Sequence, residues 1–228
     1  MVKPRIPEGE AIVDSEEVTM EQYSENARKR ERMYRGVVKH LIGKVGIPPN
    51  AQVLQIGPGP DWIGIWLIQE RSDISLTGLE PSPDMIRVAK GNAIAEGLDE
   101  SRIRYTVGVV ENLSMFEDDS FDFIFSNESL HHWVNPIAAF SEIRRVLKPS
   151  GNLCLLDDHR DLSIAEKFVV EIFGRIVAGK WHRWWKSSIQ ASYTVKEIEE
   201  YLQELGIDEW NVDSEFLSLR IQKISTNP

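Results

Sequence analysis

The sequence predicts an α/β fold in which helices flank a doubly wound, mostly parallel sheet. Between residues 52 and 157, short apolar runs typical of buried strands alternate with segments whose apolar residues recur every three or four positions. This alternation favours βαβ units, because two parallel strands need a crossover connection between them. Ligands of such sheets bind beyond the carboxyl ends of the strands. Functional residues are therefore expected directly after each strand.

The alternating segment supplies five predicted strands and three predicted helices. The strands are Gln52–Ile56, Ile74–Glu80, Ile103–Gly108, Phe121–Asn127 and Asn152–Asp157. The helices are Ile63–Glu70, Pro83–Glu96 and Ile137–Leu147. Further on, Thr194 and Glu197 have the spacing of a capping box that begins another helix, and Gly206 ends it. The runs Trp210–Glu215 and Leu217–Ile224 alternate like two final strands.

Two helical regions lie outside this alternation. Apolar spacing predicts a helix over residues 15–44. Its arginines and lysines indicate a solvated face, with contact to an acidic ligand or a membrane surface as the alternative. An apolar helical segment over 164–178 leads into the aromatic and basic run KWHRWWK at 180–186. The predicted organisation is an N-terminal arm and helix at 1–45, a core at 46–160, a lid insertion at 161–193 and closing elements of the core at 194–228.

Composition excludes several classes of protein. The 228 residues are 42% apolar and 27% charged, which is typical of a globular chain. The formal net charge of −10 repels phosphate backbones and disfavours a nucleic-acid partner. A single cysteine, Cys154, excludes an internal disulfide, and its apolar surroundings predict a buried residue. We find no apolar run long enough to span a membrane and no secretory signal, so the expected location is cytoplasmic.

A glycine-bearing turn follows the first predicted strand. Gly57 and Gly59 would let the backbone approach a ligand closely, at the N-terminus of the helix that follows. The pair alone is equally consistent with a structural turn. However, Glu80 ends the next strand about twenty residues further on, where an acid can accept both hydrogen bonds of a ribose diol. Together these features predict an adenosine site.

At this point the sequence resembles the class I S-adenosylmethionine-dependent methyltransferases, especially the branch of the ubiquinone/menaquinone-biosynthesis enzymes. The resemblance is carried by VLQIGPG at 53–59, GLEPSPDMIRVAK at 78–90, ENLSMFEDDSFDFIFSNESLHHW at 111–133 and EIRRVLKPSGNLCLLD at 142–157. It covers about half of the chain. It implies a Rossmann-like, seven-stranded sheet whose last strand is antiparallel. It also implies S-adenosyl-L-methionine as cofactor, with S-adenosyl-L-homocysteine as product.

The resemblance further implies cofactor contacts after four of the strands. The residues concerned are Gln55 in the first strand with Gly57, Pro58 and Gly59 in the turn after it, Glu80 at the end of the second strand with Pro81 and Met85 after it, Val110 and Glu111 after the third strand, and Ser126 and Asn127 at the end of the fourth. Three positions depart from the family's pattern. Gln55 and Val109 stand where acids are usual, and Asp61 replaces the third glycine of the turn.

Methyl transfer from a sulfonium requires alignment, exclusion of water and, for some acceptors, removal of a proton. His132, His159 and Asp158 follow the fourth and fifth strands, and we predict that they are catalytic. The residues predicted to contact the acceptor are His131, Trp181, Arg183, Trp184 and Trp185, with structural packing as the alternative. No tight spacing of metal ligands occurs, so no metal is predicted.

The leading hypothesis is a methyltransferase that acts on a small-molecule acceptor at oxygen, nitrogen or carbon. A non-catalytic cofactor-binding or regulatory module is the second hypothesis, motivated by Gln55, Asp61 and Val109. An RNA or protein methyltransferase is the third, favoured by the basic helix and disfavoured by the net charge. A nicotinamide dehydrogenase is disfavoured, because the turn lacks the full GxGxxG spacing. A homodimer stays an open alternative.

Overall fold

Seven strands form one sheet in the computed structural model, which describes residues 4–7 and 18–223. Their order is β3-β2-β1-β4-β5-β7-β6, with β7 antiparallel to both of its neighbours and the other pairs parallel. The strands are β1 (Gln52–Ile56), β2 (Ser75–Glu80), β3 (Ile103–Val107), β4 (Phe121–Asn127), β5 (Leu147–Asp158), β6 (Asn211–Glu215) and β7 (Ser218–Lys223). The prediction of a seven-stranded, mostly parallel sheet is confirmed.

Helices cover both faces of this sheet. They are α1 (Met20–Lys29), α2 (Glu31–His40), α3 (Trp62–Glu70), α4 (Pro83–Ala95), α5 (Pro136–Val146), α6 (Ile164–Phe168), α7 (Gly174–Ala178), α8 (His182–Ala191) and α9 (Val195–Glu204). A π-helical turn, Val169–Phe173, joins α6 to α7. None of the helices in the described ranges is both long enough and apolar enough to cross a membrane.

The core is divided between the two faces of the sheet, because successive side chains of a strand point to opposite sides. Val53 and Phe125 pack with residues of α2 and α3 on one face. Leu54 and Ile124 pack with residues of α5 and α9 on the other. Cys154 is fully buried, as predicted. The capping box of Thr194 and Glu197 at the start of α9 is also confirmed.

The N-terminal helix predicted over residues 15–44 is two helices, not one. Arg30 leaves the helical conformation with ψ at 16°, so α1 ends and α2 begins at this residue. A π-helical turn, Leu41–Val45, then extends α2 and stops at Gly46, whose φ is +83°. Residues 15–17 of the predicted helix lie outside the described residues. The break turns the Arg30 side chain towards the sheet, as the site geometry shows.

The larger differences from the prediction lie in β5 and in the segment before α9. β5 begins at Leu147 rather than Asn152, because the chain enters the sheet directly from α5 with a register shift opposite β4. The aromatic run at 181–185 leads into a helix, α8, which was not predicted. Its buried Ile189 packs with Leu162 and Val170, and this small cluster joins α8 to the segment that precedes it. The predicted last strand included Ile224, which lies outside the described residues.

The register of the sheet aligns the ends of its central strands. Ile56 at the end of β1 pairs with Leu79 of β2 on one side and with Ser126 of β4 on the other. Ser126 in turn pairs with Leu155 of β5. The residues that follow these strands therefore share one edge of the sheet, as the doubly wound topology requires.

Candidate active site

The two glycines of the first turn meet different surroundings. Both have left-handed backbones, with φ of +63° at Gly57 and +56° at Gly59. A Cβ at position 57 would lie 2.5 Å from the Cβ of Ser129, so packing alone excludes a side chain there. A Cβ at position 59 would meet only a ring atom of Tyr23, at 4.0 Å. The backbone at Gly59 is therefore open on the side that a ligand would approach.

A pocket lies over this turn, and α1 and α2 close it. Its wall combines the turn with residues from β1, β4 and the two N-terminal helices. The residues that line this glycine-turn pocket include Tyr23, Tyr34, Gln55, Gly59, Asn127 and Glu128. The structure thus brings the predicted Gln55, Gly57, Pro58, Gly59 and Asn127 into one pocket.

Glu80 reaches the same turn from the end of β2. Its Oε2 accepts a hydrogen bond from the Gly59 N–H at 3.2 Å, and its Oε1 accepts one from the Ser82 N–H at 3.2 Å. Burial raises the pKa of Glu80, and these two hydrogen bonds oppose the increase. Of its predicted neighbours, Met85 is buried and Pro81 is exposed. An acid is therefore held beside the glycine turn, where a ribose would be bound.

A second acid lies directly behind the turn. Asp61 is fully buried in a left-handed conformation, with φ at 60°, and its carboxylate accepts hydrogen bonds from the Gly64 N–H and the Tyr105 hydroxyl. A Cβ at Gly64 would lie 2.3 Å from Asp61 Oδ1 and 2.4 Å from Gln55 Oε1. The two side chains therefore meet above Gly64. The Gln55 Oε1 is buried, and no described residue donates a hydrogen bond to it.

The buried Asp61 should make stability depend on pH. Burial raises its pKa to about 7, whereas an unfolded aspartate titrates near pH 3.9. The folded protein therefore retains a proton that the unfolded chain loses, and the free energy of unfolding should fall as pH rises from about 4 to about 7. We expect Asp61→Asn to reduce this fall, measured by denaturant unfolding at pH 5 and pH 8. Equal pH dependence in both proteins would contradict the assignment.

The residues after β3 serve the core and the start of α5. Val110 is buried in the cluster that contains Leu79 and Leu113. The Glu111 Oε1 accepts hydrogen bonds from the N–H groups of Val134 and Asn135, at 2.8 and 3.3 Å. The Glu111 carboxylate thereby fixes the loop that enters α5. A cofactor contact of Val110 or Glu111 stays a prediction.

Hydrogen bonds tie the ends of β4 and β5 to their surroundings. The Ser126 hydroxyl donates to the Ile56 carbonyl at 2.9 Å, which fixes the end of β1. Asp157 accepts from both the backbone N–H and the Nδ1 of His131, each at 2.8 Å. Both partners of this His131–Asp157 pair are buried.

Within residues 4–7 and 18–223, no three His, Cys, Asp or Glu side chains converge in the manner of a metal site.

The three residues predicted to be catalytic differ in their surroundings. Loss of hydration lowers the pKa of His132 to about 4, and the neighbouring His131 adds to this effect. The Nε2 of His159 lies against the Phe216 carbonyl, in the turn between β6 and β7. Burial raises the pKa of Asp158 to about 7, with a further contribution from the charge of Glu128. Of Asp158 and His132, Asp158 therefore titrates nearer to neutral pH.

Tryptophans of residues 181–185 contact Asp158 on one side and a residue of the glycine-turn pocket on the other. The Trp185 Nε1 donates a hydrogen bond to Asp158 Oδ2 at 2.9 Å. The ring of Trp181 lies 6.1 Å from the ring of Tyr23, which lines that pocket, and 4.7 Å from the ring of Trp184. Arg183 is exposed, with its guanidinium 5.9 Å from the Trp184 ring. Acceptor contacts of these residues stay predictions.

The residues of the site that were not predicted from the sequence include Tyr23, Arg30, Tyr34 and Glu128. Glu128 directly follows β4, so the rule that functional residues follow strands would have selected it. The other three lie on the N-terminal helices. The apolar periodicity of that segment does not distinguish Arg30 from the neighbouring arginines and lysines. Arg30 differs from them because it lies at the break between α1 and α2.

Comparison with known proteins agrees with this geometry. The family model described as a methyltransferase domain matches residues 54–155. A ubiquinone/menaquinone biosynthesis C-methyltransferase of Geotalea daltonii is 28% identical over 120 residues, which are 52% of this chain and 50% of that protein. The matched part is thus half of that relative's length.

Solved structures share the fold. One comes from a protein of Methanococcus maripaludis proposed to be an S-adenosyl-L-methionine-dependent methyltransferase. It has a TM-score of 0.71 at 22% identity and covers 98% of each chain. A Haemonchus contortus phosphoethanolamine N-methyltransferase in complex with S-adenosyl-L-methionine has a TM-score of 0.58 at 21% identity, over 80% of this chain and 38% of that chain. The chain therefore has the Rossmann-like fold of these structures, and its residues 54–155 match the model of a methyltransferase domain.

Proposed function

We propose that the protein transfers a methyl group from S-adenosylmethionine to a small-molecule acceptor, and that Asp158 takes the proton that the acceptor loses. The observation that carries this proposal is the position and ionisation of Asp158. It ends β5, at the sheet edge that also holds the glycine turn, and its pKa is raised to about 7. A base is most effective when its pKa lies near the working pH.

The residues around the first turn fit the cofactor. The backbone at Gly59 is open to a ligand. The carboxylate of Glu80 offers two hydrogen-bond acceptors beside it, and the unpartnered Oε1 of Gln55 offers a third. The bound cofactor supplies an electrophilic methyl group on sulfur. The protein's own contribution is to orient the acceptor, exclude water and accept a proton at Asp158.

The insertion supports an acceptor of small size. Trp181, Trp184 and Trp185 are half-buried, and Trp185 contacts Asp158 at the sheet edge. Aromatic walls with few polar groups are typical of small-molecule pockets. The net charge of −10 disfavours an RNA acceptor. The matched relative and the matched structure are named for a quinone-pathway C-methylation and a phosphoethanolamine N-methylation, both of small molecules.

The test is methyl transfer from labelled S-adenosylmethionine to a panel of phenols, amines and activated carbon acids, with a cofactor-only control. We expect label in one chemical class of acceptor and none in a matched set of RNA and protein acceptors. Binding of the cofactor without transfer to any acceptor would favour the non-catalytic module. Transfer only to RNA or protein would replace the acceptor that we propose.

Trp185→Phe tests the contact between the lid and the base. The change keeps an aromatic ring but removes the N–H that donates to Asp158 and lowers its pKa. We therefore expect the rise of kcat with pH to move to higher pH, while affinity for S-adenosylhomocysteine is unchanged. Trp184→Phe is the control, since its ring packs on Trp181 rather than on Asp158. An unchanged pH profile in Trp185→Phe would show that this indole does not influence the base.

A further inference from the structure

An ion pair joins the N-terminal helices to the end of β4. Arg30, between α1 and α2, donates to both carboxylate oxygens of Glu128, and one of its nitrogens also donates to the Tyr34 hydroxyl at 3.0 Å. Glu128 and Tyr34 line the glycine-turn pocket, so the guanidinium lies at the wall of that pocket. The two charged side chains remain 39% and 34% exposed. The pair is therefore accessible to a ligand in the pocket.

The backbone at Glu128 supports a binding role. Its φ of +56° places a non-glycine residue in the left-handed region, which costs free energy and is common at ligand-binding positions. Burial alone would lower the pKa of Arg30, but the neighbouring Glu128 outweighs this effect and raises it, so the guanidinium stays charged. Opposite charges are thus held side by side at the pocket wall.

A third polar group belongs to a residue that lines the same pocket. The Oε1 of Gln55 is buried, and within the described part of the chain no donor satisfies it. Buried acceptors are rarely left without a donor, so this atom indicates a ligand that brings an N–H. Such a ligand would carry a positive or neutral nitrogen next to the end of β1. Together, the three groups offer a cation, an anion and a neutral acceptor.

This set complements an α-amino acid group, which carries one carboxylate and one ammonium. We propose that Arg30 and Glu128 exchange their mutual ion pair for the two ends of the cofactor's amino-acid group, with Arg30 binding the carboxylate and Glu128 and Gln55 binding the ammonium. The exchange leaves no charge unpaired, because each partner lost is replaced by a group of the same sign. The inference rests on the proposed use of S-adenosylmethionine.

The exchange also gives the N-terminal helices a role in binding. Arg30 connects α1 and α2, whose Tyr23 and Tyr34 cover the glycine turn. An arginine bound to the ligand would hold these helices over the pocket as it now holds them to Glu128. If the ion pair between Arg30 and Glu128 were purely structural, its loss would change the affinity of every ligand of the pocket equally. The two roles therefore predict different ligand dependence.

The experiment compares two ligands by calorimetry: S-adenosylhomocysteine and 5′-methylthioadenosine, an adenosine thioether that lacks the amino-acid group. We expect Arg30→Gln to weaken the binding of S-adenosylhomocysteine about tenfold or more, because a charge-assisted contact through two N–H groups is lost. The affinity for 5′-methylthioadenosine should change by no more than about twofold. Arg30→Lys keeps the charge but loses the planar fork, so it should show a smaller loss with the same ligand selectivity.

Arg35→Gln is the matched control. Arg35 lies on α2, has 37% of its side chain exposed, pairs with Glu31 and stacks on an aromatic ring, but it does not contact Glu128. It should change neither affinity. The exchange would be overturned if, with a wild type that binds both ligands, Arg30→Gln and Arg30→Lys lowered the affinity for both ligands equally. It would also be overturned if they lowered the affinity for neither ligand. If the wild type bound neither ligand, the proposed function itself would be wrong.

Discussion

Asp158→Asn should lower turnover by about 10²–10⁴-fold on an acceptor that must lose a proton, the usual contribution of general-base catalysis. Asparagine has nearly the shape of aspartate and can still accept the hydrogen bond from Trp185 through its amide oxygen. It cannot accept the acceptor's proton. Affinity for S-adenosylhomocysteine should therefore be unchanged, because the variant loses chemistry and not binding.

The pH dependence gives the same assignment a second test. A protonated carboxyl cannot act as a base, and the pKa of Asp158 is raised to about 7 by burial and by the charges of Glu128 and Asp157. In the wild type, kcat should rise as pH increases through about 7 and level off above it. In Asp158→Asn this rise should be absent.

Asp161→Asn is the control for the loss of one negative charge near the end of β5, since Asp161 is exposed three residues further on. It should leave both the rate and the pH profile unchanged. A full rate with the wild-type profile in Asp158→Asn would show that proton removal does not pass through this residue. His132 would then be the next candidate, although a pKa of about 4 makes it a weak base.

The sheet could be predicted because its information is local. Each buried strand appears as a short apolar run between turns, and the order of strand and helix then fixes the doubly wound topology. The break at Arg30 could not be predicted, because apolar spacing continues through α1 and α2 without a proline or glycine between them. Likewise, α8 begins within a run of tryptophans that resembles a binding cluster more than a helix.

The candidate site divides in the same way. Gly59 and Glu80 could be paired from the sequence, because they lie at the carboxyl ends of strands that are neighbours in the sheet. The partnership of Arg30 with Glu128 joins residues 98 positions apart, and it depends on how the N-terminal helices pack on the core. Sequence periodicity carries no information about such a contact.

The buried pair of Gln55 and Asp61 also explains two departures from the family's pattern. The sequence shows a neutral residue where an acid is usual and an acid where a glycine is usual. In the structure the two side chains meet above Gly64, so an acid is still present behind the turn. Asp61 has a left-handed backbone, a conformation that glycine adopts readily, and its carboxylate caps α3.

Glu80→Ala should weaken binding of S-adenosylhomocysteine by about a hundredfold, or about 2.8 kcal/mol. A carboxylate that accepts two ribose hydroxyls makes two charge-assisted hydrogen bonds, each contributing about 1.5–3 kcal/mol. Part of this gain is offset, because Glu80 must give up its present bonds to the N–H groups of Gly59 and Ser82. The measurement is calorimetry on a variant whose thermal unfolding remains cooperative.

Asp84→Ala is the matched control, because Asp84 lies in the first turn of α4, close to Glu80 in the chain, with 69% of its side chain exposed. It removes the same charge without touching the turn, and its effect on affinity should be within about twofold, as for other exposed charges. If Glu80→Ala bound as tightly as the wild type, Glu80 would serve only to brace the glycine turn. The ribose would then need another acceptor, and the cofactor would have to lie differently over Gly59 from the way proposed here.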